Sequence, residues 1–277
     1  MHVRLPIADF FRRDVISARQ SKIGNGPGSC APVTSVARSR GVDAIIEVCS
    51  RNGKITDETE TELSCANCHE RKEKRFCPAV HDRICPICCG TEREVTLDCP
   101  SDCPYLQQAR KHENAAHLEE LDREALMPQV EVPETFLYER EPLLAGMSFA
   151  IAQAARRDRG VYDRDVIQAL TAMAKTYETQ ANSGLIYEQP MQNPLQHAVA
   201  AEISKMLQEY RKTEEQNRGY ATLKDSEVLK ALVFTLRLAL GKTSGRPKSK
   251  AFLDFLFENF PDKPVVGAAE GSRIIVP

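Results

Sequence analysis

Eight of the ten cysteines lie between Cys65 and Cys103, and none follows. No other feature constrains the chain as tightly, because thiols crowded into one short segment must be cross-linked, bound to metal or buried as free groups. Two C-x2-C pairs, Cys65-Ala-Asn-Cys68 and Cys85-Pro-Ile-Cys88, stand sixteen residues apart. Each pair can present two soft ligands from one tight turn, which is the chemistry of a tetrahedral zinc site. The apolar "IADFF" near the N-terminus is too short for a secretory signal. The expected compartment is therefore the reducing cytoplasm, where clustered thiols favour metal over disulfides.

After the second pair, Gly90 permits a turn, "REVTLD" alternates Val95 and Leu97 with polar neighbours as a short strand would, and Cys99-Pro-Ser-Asp-Cys103 leads into a helix. Knuckle, hairpin and helix in that order predict a treble-clef-like zinc module. In such a module the helix start supplies two ligands and its positive end favours thiolates. One expected site is Cys85, Cys88, Cys99 and Cys103. Cys65, Cys68, Cys77 and Cys89 are left for a second, interleaved site. This pairing is not unique: Cys88 and Cys89 are neighbours and can exchange roles, and His69 or His81 can replace a cysteine.

The expected cofactor is zinc, two ions. Iron–sulfur ligation is the rival, since proline follows Cys77, Cys85, Cys99 and Cys103, but the ferredoxin run C-x2-C-x2-C is absent. A redox Cys-x-x-Cys would sit beside a βαβ pattern, which is not visible. An all-thiolate set closes the coordination shell, so the metal reads as structural rather than catalytic. "HENAAH" at 112–117 does not make a metalloprotease helix, because His112 and His117 are five residues apart, about 140° around a helix. Glu113, Asp102 and Glu188 are available carboxylates, yet nothing in the sequence makes them converge, and an enzyme is the third reading.

The stretch 77–110, "CPAVHDRICPICCGTEREVTLDCPSDCPYLQQAR", resembles a motif of uncharacterised bacterial proteins: C-P, then I-C-x2-C-C-G, then C-P-x2-C-x-Y-L-x2-A-R. The helical region beyond it is similar to theirs, including "KTYETQANSGLIYEQP" at 175–190, and the resemblance extends over 60–260. It implies a cysteine-rich head on a helical body and carries no known activity.

Beyond Cys103 the pattern is helical. Pro104 suits a first helical position, and Leu106, Ala109, Leu118 and Leu121 recur at helix-face spacing. Further helices are expected at 142–157, 164–182, 195–215, 226–240 and 249–260. Val228, Leu229, Leu232, Val233 and Leu236 make 226–240 a central helix, with Lys230 and Arg237 facing outward. Phe252, Phe255, Phe257 and Phe260 mark the last as a packed terminal helix. The expected organisation is a disordered leader over 1–60, the zinc-binding module over 61–110, a helical domain over 111–260 and a disordered tail over 261–277. The leader is basic and turn-rich. The fold class is mainly α, a small treble-clef-like module with a short β-hairpin followed by a helical bundle.

Charge bears on partners. The formal net charge is −2 and the pI about 6.3, which gives no general attraction to nucleic acid or anionic lipid. The apolar run 143–155 falls short of the roughly 20 residues that span a bilayer, so no membrane segment is expected. Basic patches at 70–75 and in "GKTSGRPKSK" leave nucleic-acid binding as the second reading, through Arg246, Lys248 and Lys250 or the run from Arg71 to Arg75. Against it, residues 60–111 carry nine acidic and eight basic side chains, and thiolates on zinc would add negative charge. "GKT" lacks the spacing of a phosphate loop. The first reading is a structural zinc module that binds a protein partner.

Overall fold

The computed structural model describes residues 64–261, which belong to one compact unit. The leader expected over 1–60, the tail beyond Pro261, Cys30 and Cys49 lie outside the described residues.

The chain is mainly helical, with a small treble-clef-like cysteine module and a short hairpin ahead of a helical bundle. The module differs from the expected one in where its parts lie. Its hairpin is β1 (Arg75–Cys77) and β2 (Asp82–Ile84), antiparallel with Phe76 opposite Arg83. Ile84, fully buried, is its apolar anchor. Helix α1 (Pro86–Glu92) follows at once, started by Pro86 at its first position and by the Cys85 side chain as cap. "REVTLD" is therefore not a strand. Arg93 and Leu97 make only an isolated bridge, and Val95, Thr96 and Leu97 all turn back onto the carbonyl of Glu92. Glu94, at φ 54°, takes the left-handed conformation that this turn requires.

Helix α2 (Pro104–Glu120) starts with Pro104 behind an N-cap at Cys103. A 3-10 turn (Glu124–Leu126) and a short helix α3 (Glu134–Glu139) lead into the bundle. The bundle is α4 (Glu141–Arg157), α5 (Asp163–Ser183), α6 (Pro194–Arg218), α7 (Asp225–Lys242) and α8 (Ala251–Asn259). Gly184 and Gly219, both left-handed, close α5 and α6. The long contacts run between α5 and α7 and between α4 and α6. Leu143, Met147, Ile151, Leu170, Ile203, Leu232 and Leu236 are fully buried between them.

The central helix is α7, as its apolar face requires: Val228, Leu232, Val233 and Leu236 are all fully buried. Lys230 and Arg237, the cations expected to face outward, do not simply face solvent. Arg237 donates to the carbonyls of Leu126, Met127 and Val130, each at 2.8 Å, holding the loop after α2 against the bundle. Lys230 sits 5.9 Å over the Phe136 ring. Long side chains on a helix edge reach neighbouring elements that the helix's own periodicity does not reveal. Phe252, Leu253 and Leu256 bury the face of α8, as a packed terminal helix demands.

Asp163 ties α8 to α5. Fully buried, it accepts hydrogen bonds from the Ser249 hydroxyl at 2.7 Å and from the amides of Phe252 and Leu253 at 3.1 and 3.2 Å. It thus caps the start of a helix almost ninety residues further along the chain. Burial pushes its carboxyl up, against these same hydrogen bonds, to about 6.

Candidate metal centre

The knuckle comes first. In Cys65-Ala-Asn-Cys68 the chain turns back so that the amide of His69 donates to the Cys65 carbonyl at 2.8 Å and the amide of Cys65 to the Arg71 carbonyl at 2.8 Å. The hairpin then returns the chain to the same place, where Cys85 and Cys88 stand at the cap and in the first turn of α1. The Sγ atoms of Cys65, Cys68, Cys85 and Cys88 all lie within 4.8 Å of one another. Cys65, Cys85 and Cys88 are buried, and Cys68 is half-buried.

This is a treble clef moved one step toward the N-terminus. Cys85 and Cys88 are its helix ligands rather than its knuckle, and they converge with Cys65 and Cys68, not with Cys99 and Cys103. His69 and His81 are exposed, in left-handed turn positions, outside the converged four.

Backbone amides point at the sulfurs. The Cys85 amide donates to Cys65 Sγ at 3.1 Å, and the Cys88 amide to Cys85 Sγ at 3.4 Å. Arg71 Nη1 stands 3.9 Å from Cys85 Sγ and 4.0 Å from Cys88 Sγ. Burial raises the Cys65 thiol, but the amides of Cys68, Cys85 and Asn67 outweigh it and bring the group down to about 6. The amide of Cys88 likewise lowers Cys85. Cys88 moves the other way. A hydrogen bond with Asn67 lowers it, yet burial and the neighbouring thiols of Cys85, Cys68 and Cys65 push it up to about 12. Four sulfurs this close cannot all shed their protons unless a cation shares the space. The donor set fits a soft, tetrahedrally bound ion, with the amide bonds and Arg71 fixing its outer shell.

The other four predicted ligands lie elsewhere. Cys77 ends β1, Cys89 follows Cys88 in α1, Cys99 is in the turn before α2, and Cys103 caps α2. They line a common small cavity, but their sulfurs are not all within 4.8 Å of one another as those of the first set are. All eight are free thiols. Burial raises the Cys99 thiol, and the charges of Cys77, Cys103 and Glu94 add to that rise.

Sequence reasoning missed Arg71, which it read as one charge in the run 70–75. Its position three residues after Cys68, on the returning arm of the knuckle, is the available signal. It also missed the network that holds the module to the bundle. Glu94, buried, accepts from Arg110 at 2.7 Å and from Ser244 at 2.7 Å, while Arg110 also pairs with Asp254 at 2.6 Å.

The loop read as a possible minor-groove hook completes that network. Arg246 donates to the carbonyls of Gly90 and Arg93 at 3.1 and 2.8 Å and pairs with Glu113 at 2.9 Å. Lys248 Nζ donates to the Thr96 carbonyl, and its amide to the Glu94 carbonyl at 2.8 Å. Lys250 pairs with Asp98 at 3.5 Å. Glu113 is shared between Arg246 and Arg93, whereas Asp102 and Glu188 are exposed. No helix among the described residues is long and apolar enough to cross a membrane.

In comparisons with known proteins, the chain matches no family model, no curated protein and no solved structure. The site's chemistry therefore stands on its own geometry.

Proposed function

We propose that this is a cytoplasmic zinc-binding protein whose metal is structural and whose role is to bind a protein partner. The observation that carries the zinc reading is the convergence of Cys65, Cys68, Cys85 and Cys88 within 4.8 Å. Four thiolates around one ion leave no open position for substrate or activated water, and zinc is the usual occupant of such a set. Membership of the bacterial cysteine-rich family rests on the motif at 77–110.

Two features support a protein partner. The module exposes Phe76 and Ile87, each more than half accessible, and the loop after α5 exposes Leu185, Ile186 and Tyr187 together. Exposed large apolar side chains are what protein interfaces are built from. The engagement of Arg246, Lys248 and Lys250 with the module favours this reading over phosphate binding.

The test is elemental analysis of the purified full chain, joined to retardation assays with duplex and single-stranded probes. Zinc bound stoichiometrically and no salt-dependent retardation is the expected result. Iron with a visible charge-transfer band, or no metal, overturns the zinc reading. Micromolar binding to a probe that falls about tenfold or more between roughly 50 and 200 mM salt overturns the protein-partner reading.

A further inference from the structure

Once Cys65, Cys68, Cys85 and Cys88 are assigned to one ion, four reduced cysteines of the module remain, and the fold does not scatter them. Cys77, Cys89, Cys99 and Cys103 all line one cavity of about 10 Å³ at the base of the module. Cys77, Cys89 and Cys103 are less than a tenth exposed. They come from four separate places: the end of β1, the middle of α1, the turn after it and the cap of α2.

We propose that these four cysteines form a second soft-metal site, built around that cavity and joining the module to α2. The proposal rests on the zinc reading above for the identity of the metal, and on the cavity for the existence of the site. The space is of the size that holds a single water or a single small ion. Water fits it poorly, because a buried water needs two to four polar partners and Ile84, Leu97, Leu106, Ala79 and Pro100 supply much of this wall. A soft cation suits the donor set, because each thiol can lose its proton and become a ligand; the four sulfurs are not all within 4.8 Å of one another as those of the first set are, so binding would have to draw them in around the ion.

Helix geometry explains how two sites share one short helix. Successive residues of an α-helix are turned by about 100°, so Cys88 and Cys89 face different sides of α1. Cys88 faces Cys65, Cys68 and Cys85, and Cys89 faces the cavity with Cys77. Along the chain the two ligand sets interleave, so neither site can close without the segment that serves the other. The second set also has a different structural task. Cys103 is the cap of α2, and the turn holding Cys99 lies beside Ser101, which donates to Asp254 of α8 at 2.7 Å. The first ion closes the module on itself, and the second fastens it to the body.

The experiment counts ions in the full-length protein. Zinc per chain is measured for wild type, for Cys65→Ser with Cys68→Ser, and for Cys77→Ser with Cys103→Ser. The expected values are two equivalents in wild type and one in each double variant. One equivalent in wild type, lost in the first variant and kept in the second, overturns the second site and leaves the zinc reading intact. Two equivalents in wild type that persist in the Cys77 and Cys103 variant overturn the assignment of those ligands. No metal in any form overturns both. Should a variant fail to fold, titration of metal-free wild type with cobalt decides instead: the thiolate-to-cobalt absorption should rise until two equivalents are bound, and a break at one equivalent overturns the proposal.

Discussion

The cysteine module and the helical body solve the same problem with different materials. In the body, Leu, Ile, Val, Met and Ala fill the space between helices, with Leu170, Ile203, Leu232 and Leu236 fully removed from water. In the module, the buried cluster is Cys65, Cys77, Ile84, Cys85, Cys88, Cys89 and Leu97. Only two of those seven are aliphatic, so sulfur occupies the positions that hydrocarbon would fill. A core of that size cannot offset the entropy of ordering its own turns, and a metal ion on the converged thiols would supply what burial does not. Stability in the body is spread over many contacts; in the module it is concentrated in a few atoms.

The largest expected effect follows from that contrast. Structural zinc contributes on the order of 10 kcal/mol or more to the folding of small metal modules, far beyond any single side chain in the bundle. Under a strong chelator the region 64–103 should become protease-sensitive, while far-UV helicity falls only slightly because α4 to α8 remain. Parallel loss of helicity and of the module would show that the two regions fold as one unit, and would break the comparison.

The same contrast explains what could be read in advance. The expected helix 226–240 became Asp225–Lys242, and 164–182 became Asp163–Ser183, because amphipathic helices of this length repeat their pattern many times. The module offers no such repetition. Its strands are three residues long, too short to display an alternation, whereas "REVTLD" alternates and forms no strand. Helix α1 was hidden behind a glycine that reads as a turn signal. The cysteine cluster was visible as a candidate metal centre by type and density, yet which four thiols converge was not. It depends on Cys88 rather than its neighbour Cys89 facing Cys65 and Cys68 across α1, and no spacing rule distinguishes that from the reverse. The network that joins Glu94 to Ser244, Arg110 to Asp254 and Arg246 to Gly90 and Arg93 was equally hidden, since contacts across more than a hundred residues leave no local trace.

A mid-sized effect should come from Asp163, which sharpens the comparison from the side of the body. Asp163→Ala leaves the amides of Phe252 and Leu253 without their acceptor, at a cost of about 3 kcal/mol. Thermal unfolding of the bundle should shift downward with zinc content unchanged. The pH dependence has a definite sign. The folded carboxyl is raised to about 6, above its unfolded value near 4, so the folded state binds the proton more tightly. Stability should therefore fall as pH rises from about 4 to about 6 and level off above. Asp163→Asn should flatten that slope, and a slope unchanged in the variant would assign it to another group.

The smallest expected effect lies at the seam between the two regions, where Arg246 acts. Its side chain is about three-quarters buried, and its guanidinium donates to two module carbonyls, of Gly90 and Arg93, and pairs with Glu113. A planar fork can reach all three at once; a lysine ammonium on the same backbone cannot match that geometry. Arg246→Ala should cost about 1–2 kcal/mol, less than Asp163→Ala because the seam keeps Arg110 between Glu94 and Asp254. Arg246→Lys should recover only part of it. The cost should fall on the module's attachment rather than on the bundle: amides of 84–97 exchange faster and zinc leaves more quickly to a chelator, while the thermal midpoint of the bundle moves little. A bundle destabilised as much as the module would mean that the seam is part of the main core. Unchanged exchange in 84–97 would mean that the remaining contacts hold the module without Arg246.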